Sequence, residues 1–198
     1  MKQFTAKTFT IPTLIGISAK TIEEHLKLYA GYVKNINLIY EKMGEYAQNV
    51  EGNLYALGEL NRRLSFEYNG MRNHEVYFSS LEGSATPLAD GSHLKKAIIA
   101  EWGSFDGWLE GFKKLATTTR GIGWAVLWYD ATEERLITSW VDEQHIGELN
   151  GCTMILGLDM WEHSYVADYL PSGKKQYVED FFKNMNWGVI EENFKKVK

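Results

Sequence analysis

A five-residue apolar run, Met154-Ile155-Leu156-Gly157-Leu158, ends in an acid, Asp159, and His163 follows four residues later. The run reads as a buried strand. Its end therefore delivers a carboxylate to the interior, where a charge must be paired. His163 reaches toward the same point. Two more histidines, His25 and His74, lie far upstream in segments with helical periodicity. Three imidazoles and one carboxylate form a donor set for a redox-capable transition metal. A chain that gathers them must pack helices from its first half against the end of a strand from its second.

The first half reads as helical. Ser18 is placed as a helix N-cap, and Thr21-x-x-Glu24 offers a second capping signal. Ile22, Leu26, Tyr29, Val33, Ile36 and Tyr40 then recur at helical spacing. Gly44 and the mostly polar stretch 48–53 break the pattern, and a second helix is expected from about Leu54 to Leu81. Two long helices with a short polar link predict a helical hairpin. Residues 82–91, Glu-Gly-Ser-Ala-Thr-Pro-Leu-Ala-Asp-Gly, read as a linker. Beyond it, residues 92–117 read as helix. Residues 124–129 and 135–141 read as strands around a hairpin loop at 130–134, and 154–158 as a third strand. Two helical segments close the chain. The expected class is α+β: an N-terminal long helical hairpin domain, residues 1–83, then a C-terminal α/β domain, residues 91–198, with a three-stranded antiparallel sheet and helices.

Composition narrows the function. Hydrophobic residues make up 44% of the 198 and aromatic residues 14%, enough for a substantial core. The formal charge of -5, with no long basic run, argues against nucleic acid as the main partner. No stretch suits a bilayer span. The first residues, Met1-Lys2-Gln3-Phe4-Thr5, lack the apolar core of a signal peptide. The single cysteine, Cys152, forms no internal disulfide and reads as a small buried hydrophobe. A reducing cytoplasmic setting fits these features.

Asp159-Met160-Trp161-Glu162-His163-Ser164-Tyr165 resembles the Asp-x-Trp-Glu-His-Ala-Tyr signature of the iron/manganese superoxide dismutases. Tyr32-Val33 with Asn37, Asn73-His74 with Tyr77-Phe78, Gly121-x-Gly123-Trp124 and Asn186-Trp187 resemble further blocks of that family, in its order and across nearly the whole chain. The resemblance implies His25, His74, Asp159 and His163 as ligands of one manganese or iron ion per subunit. It implies ping-pong dismutation of superoxide to dioxygen and hydrogen peroxide. Tyr32 would stand at the substrate channel as gate and proton relay. Trp124 and Trp161 would wall the site. Glu162 would reach His163 of a partner subunit across a two-fold homodimer interface.

Gln144, fifteen residues before Asp159, lies close to where manganese-type members carry the Gln that hydrogen-bonds the metal's solvent ligand; His145 is the rival if the loop register slips by one. Iron-type relatives tend to place that Gln four residues before the second ligand, where this chain has Gly70. Gly157 also resembles the manganese type. The set favours manganese, with iron as the alternative. Two departures stand out. His25 lies seven residues before Tyr32, one fewer than is usual in the family, which predicts a regular helix where relatives have a widened turn. Tyr29 or Leu28 occupies the place of a family His, and Val166 that of its partner Tyr. Lys27 and Lys174 are candidates for steering the superoxide anion, and His93 reads as a surface residue. Other functions compatible with the chain are a non-catalytic relative acting as an interaction module and a different non-haem metalloenzyme. A fourth protein ligand leaves too few open positions for oxygenase chemistry.

Overall fold

The computed structural model describes residues 2–198; Met1, the first residue of the stretch compared with a signal peptide, lies outside the described residues. Helix α1 spans Ala19–Tyr46. The Ser18 hydroxyl accepts the Thr21 N–H at 3.1 Å, which satisfies one free donor of the first turn. Ile22, His25, Tyr29, Tyr32, Val33, Ile36 and Ile39 form its buried stripe, spaced by three and four. The second capping signal goes unused. Thr21 already lies inside the first turn, and Glu24 instead pairs with Lys20 and Lys27 on the surface.

Two single 3₁₀ turns, Ala47–Asn49 and Glu51–Asn53, lead into α2, Leu54–Ser80. The two long helices pack along one another, and α2 also packs on the sheet through its third strand. The segment expected as one helix over 92–117 is two: α3, His93–Trp102, and α4, Phe105–Thr118. Gly103 ends the first at φ 82°, open to glycine at little cost, and Ser104 caps the second by accepting the Gly107 N–H.

Strands β1 (Trp124–Asp130), β2 (Arg135–Val141) and β3 (Cys152–Asp159) form an antiparallel sheet in the order β2-β1-β3. β1 is central and buried over nearly its whole length, as its unbroken apolar sequence requires. Register sets the site: Trp124 pairs with Val141 on one side and with Asp159 on the other. The start of β1 thus stands between the loop carrying Gln144 and the acid that ends β3. Cys152, the first residue of the edge strand β3, is half-buried and free rather than enclosed in the core.

After β3 come a 3₁₀ turn, Glu162–Ser164, then α5 (Val166–Tyr169), α6 (Lys174–Asn184) and α7 (Trp187–Lys195). The linker is tied down by Thr86, whose carbonyl accepts from Trp187 and whose N–H donates to Met185. Among the described residues no helix is long and apolar enough to cross a membrane.

Gly123 shows how closely the strand entry is fitted. Its φ is 129°, and a Cβ there would lie 2.3 Å from the Val141 carbonyl oxygen. Gly123→Ala should therefore destabilise the protein by about 1–3 kcal/mol, measured as a lower urea midpoint. An unchanged midpoint would show that this entry relaxes freely.

Candidate metal centre

Four side chains from four elements meet in the interior. His25 comes from α1, His74 from α2, Asp159 from the end of β3 and His163 from the turn that follows. One ligand atom from each lies within 4.8 Å of all the others. The Nε2 atoms of His25, His163 and His74 lie 3.0, 3.2 and 3.6 Å from the same oxygen, Asp159 Oδ2. The other carboxylate oxygen accepts the Trp161 N–H at 2.8 Å, which turns Oδ2 toward the histidines.

The seven-residue spacing is accommodated as expected. Helix α1 is continuous and regular from residue 19 to 46, so His25 and Tyr32 fall two turns apart on its buried face. The Tyr29 ring stacks beside His74, while its hydroxyl accepts the Lys7 N–H and donates to Glu75. Leu28 is half-buried.

The protonation pattern calls for a cation. His74 Nδ1 stands 2.5 Å from the Gly70 carbonyl oxygen, which can only accept, so the ring proton resides on Nδ1. Nε2 then presents a lone pair toward a carboxylate oxygen, and among the described residues it has no hydrogen-bond partner. Two lone pairs facing one another in the interior repel unless a positive charge lies between them. Burial, then the neighbouring His25 charge, pushes the His74 pKa down to about 3, and burial likewise lowers His25. Burial alone would raise Asp159, but the charge of His163 and hydrogen bonds from His163 and His25 outweigh it and keep the acid ionised. A metal takes imidazoles that are neutral with Nε2 deprotonated and a carboxylate that is ionised, so an ion here would displace the protons that His25 and His163 present to Asp159.

Gln144 is fully buried beside this cluster. The Trp124 indole N–H, a donor only, reaches Gln144 Oε1 at 2.9 Å and so fixes which end of the amide is which. Gln144 Nε2 donates to the Tyr32 hydroxyl at 2.9 Å. The Tyr32 ring rests over Gly70, where a Cβ would lie 2.5 Å from Tyr32 Cδ1. Burial, reinforced by the Asp159 charge, raises the Tyr32 pKa and keeps its proton in place. Trp124 meets His74 edge-on and Trp161 stacks on His163. His145 is half-buried against the Phe66 ring, so it is the Gln144 side chain that joins Tyr32 and Trp124.

Residues 90–193 match the family model described as iron/manganese superoxide dismutases, C-terminal domain. A protein named as an iron superoxide dismutase from Aquifex pyrophilus is 34% identical, over 92% of this chain and 86% of its own length. This chain belongs to the iron/manganese superoxide dismutases. Another protein named for iron, from Cupriavidus metallidurans, is 37% identical over 88% of this chain and 86% of its own. One named for manganese, from Mycolicibacterium fortuitum, is 33% identical over 86% of this chain and 80% of its own. The three-imidazole, one-carboxylate cluster of this superoxide dismutase family member accords with a single manganese or iron ion.

Other expected residues stand outside the cluster. Lys27 is exposed and its charge is matched by Glu23 and Glu24. Lys174 is half-buried, donates to the Thr119 carbonyl, and has its pKa lowered by burial. His93 is exposed. Sequence reasoning missed the supports that act through main-chain atoms. The Tyr177 hydroxyl lies 2.9 Å from the Asp159 carbonyl oxygen, and the Asn73 amide donates to the Gln144 carbonyl at 3.0 Å. Asn73 was visible as part of the Asn-His pair; nothing local marks Tyr177.

The site predicts acid sensitivity of the metal-free protein. An unfolded His titrates near 6.5 and His74 near 3, so between those values the unfolded state binds more protons. Stability should therefore fall as pH drops from about 6.5 toward 3, by up to ~1.4 kcal/mol per pH unit for this group. Asp159, held low, acts in the same direction below its ordinary range. His74→Gln should flatten the part of the slope between pH 6.5 and 4 in urea unfolding. A slope unchanged in the variant would refute this assignment.

Proposed function

We propose that this chain is a superoxide dismutase in which His25, His74, Asp159 and His163 hold one ion, manganese or alternatively iron. The observation that carries the reading is the convergence of three imidazole Nε2 atoms on Asp159 Oδ2, with the His74 proton committed to Nδ1. The ion, when bound, supplies one-electron chemistry in two half-reactions: one superoxide is oxidised to dioxygen, and the next is reduced to hydrogen peroxide.

The protein's part is placement, dryness and protons. One carboxylate offsets part of the ion's charge while neutral imidazoles add none, which suits a centre that alternates between two charges. Peroxide leaves with two protons, so a proton donor must stand close by. Tyr32 is the donor candidate: its hydroxyl oxygen accepts from Gln144 Nε2, which leaves its own proton free to be passed on. Gln144 is the candidate for tuning, because its amide is held rigidly by Trp124 beside the cluster. The Trp124 and Trp161 rings shield the histidines from bulk water.

The same reading includes a homodimer. Glu162 is exposed, and among the described residues its carboxylate has no hydrogen-bond or ion-pair partner. His163, the next residue, has a side chain 23% exposed. A two-fold contact would let Glu162 of one copy accept a hydrogen bond from His163 of the other and orient that ligand.

The first test is reconstitution with manganese and, separately, with iron, with bound metal quantified and dismutation assayed. We expect about one ion per chain, with greater activity in the manganese form. Asp159→Ala should abolish stoichiometric binding, since it removes the only anionic ligand. A wild-type chain that binds neither metal would end the proposal. Glu162→Ala should weaken metal affinity roughly 10–100-fold and shift sedimentation toward monomer. Unchanged sedimentation and affinity would remove the dimer from the reading.

A further inference from the structure

β2 ends at Val141, and a tight turn closed by Asp142 and Ile146 carries Gln144. Side chains alternate along β2, and Val141 at its end is fully buried. Continued alternation would put residue 143 on the face of Val141 and residue 144 on the opposite face. Instead Gln144 is fully buried and Glu143 is half-exposed. Glu143 has φ 49°, a left-handed conformation that a non-glycine side chain seldom takes.

Two sets of hydrogen bonds hold it there. Asp142 and Ile146 exchange both backbone hydrogen bonds, at 2.8 and 3.1 Å, and close the three-residue loop 143–145. The Asp142 carboxylate also accepts the Glu143 N–H at 2.8 Å. On the other side, the Glu143 carbonyl accepts the Trp161 indole N–H at 3.1 Å, and the Trp161 main-chain N–H is the donor to Asp159 Oδ1. The Glu143 peptide is therefore linked, through one tryptophan, to the carboxylate at the centre of the cluster. The Asn73 amide pins the next carbonyl, that of Gln144.

We infer that Glu143 is a positioning residue: its left-handed backbone, braced by Trp161, aims the Gln144 amide at Tyr32 and Trp124. This rests on the reading of the cluster as a dismutase centre. The Glu143 side chain itself makes no hydrogen bond or ion pair among the described residues, so the backbone conformation carries the role.

The consequence is specific to backbone chemistry. A β-branched residue is strained in the left-handed region, whereas glycine enters it freely. Glu143→Val should misdirect Gln144, and Glu143→Gly should restore its direction although it removes the same side chain. The decisive readout uses metal-free, ¹⁵N-labelled protein, where the indole N–H signals of Trp124 and Trp161 report the hydrogen bonds to Gln144 and to the Glu143 carbonyl. Glu143→Val should shift both signals, and Glu143→Gly should keep both at their wild-type positions. In the metal-loaded protein, Glu143→Val should lower dismutation roughly 10- to 100-fold at unchanged metal content and alter its pH profile, with Glu143→Gly restoring both. Wild-type indole signals in Glu143→Val would overturn the inference, as would equal losses in the Val and Gly variants. If the wild-type protein binds metal but does not dismutate superoxide, the dismutase reading fails by itself, and the indole signals still decide the role of the turn.

Discussion

A single carboxylate oxygen, Asp159 Oδ2, is the point around which the molecule is organised. An ionised acid that is fully buried is costly unless every direction around it is matched. Here the directions are supplied by α1, α2, α6 and the turn that follows β3. The Trp161 amide takes one oxygen, three imidazoles face the other, and the residue's own carbonyl is held by Tyr177 and Ser164. α1 and α2 contribute one histidine each, so the helical hairpin and the sheet meet at the charge. The His74 lone pair turned toward that charge is unfavourable in the protein alone and favourable around a cation. Fold and metal binding are thereby coupled: ion binding relieves a conflict that the packing creates.

The parts of this arrangement that were legible in the sequence are those that depend on short spacing. Asp159 and His163 share one strand end and one turn, and the apolar run before them identifies the strand. The continuous α1 followed from counting His25 to Tyr32 as two regular turns. Gln144 was singled out by resemblance, at a position close to where manganese-type members carry a Gln, and its amide joins Tyr32 to Trp124. Where competing local signals existed, sequence position decided between them. Ser18 caps α1 because it precedes the first turn, while Thr21 lies within it. The break between α3 and α4 was hidden because apolar residues continue at helical spacing across it. Gly103 and Ser104 were its only local marks.

The rest was not legible, because its partners are remote in sequence and belong to the main chain. Tyr177 reaches the Asp159 carbonyl from α6, and Asn73 reaches the Gln144 carbonyl from α2. A pattern of side chains says nothing about which carbonyl a distant donor will meet. The left-handed turn at Glu143 is hidden for a related reason. Glutamate carries none of the turn preference of glycine or asparagine, so the conformation is imposed by the Asp142–Ile146 closure and the Trp161 indole.

Gly70 shows how these constraints combine. Its carbonyl, one turn back on α2, sets the His74 tautomer. Its missing side chain leaves the space that the Tyr32 ring fills, and any Cβ there would collide with that ring. With Tyr32 in this place, α2 has no room to send a long amide side chain into the site from position 70. The amide that meets the Tyr32 hydroxyl must come from elsewhere, and it comes from the loop after β2, in the other half of the chain. The four clustered side chains and the amide are therefore brought together only when the hairpin docks on the sheet. Tyr32, on α1 and in contact with both, stands at the joint. A glycine on one helix thus decides from which half of the molecule the cluster receives its polar neighbour.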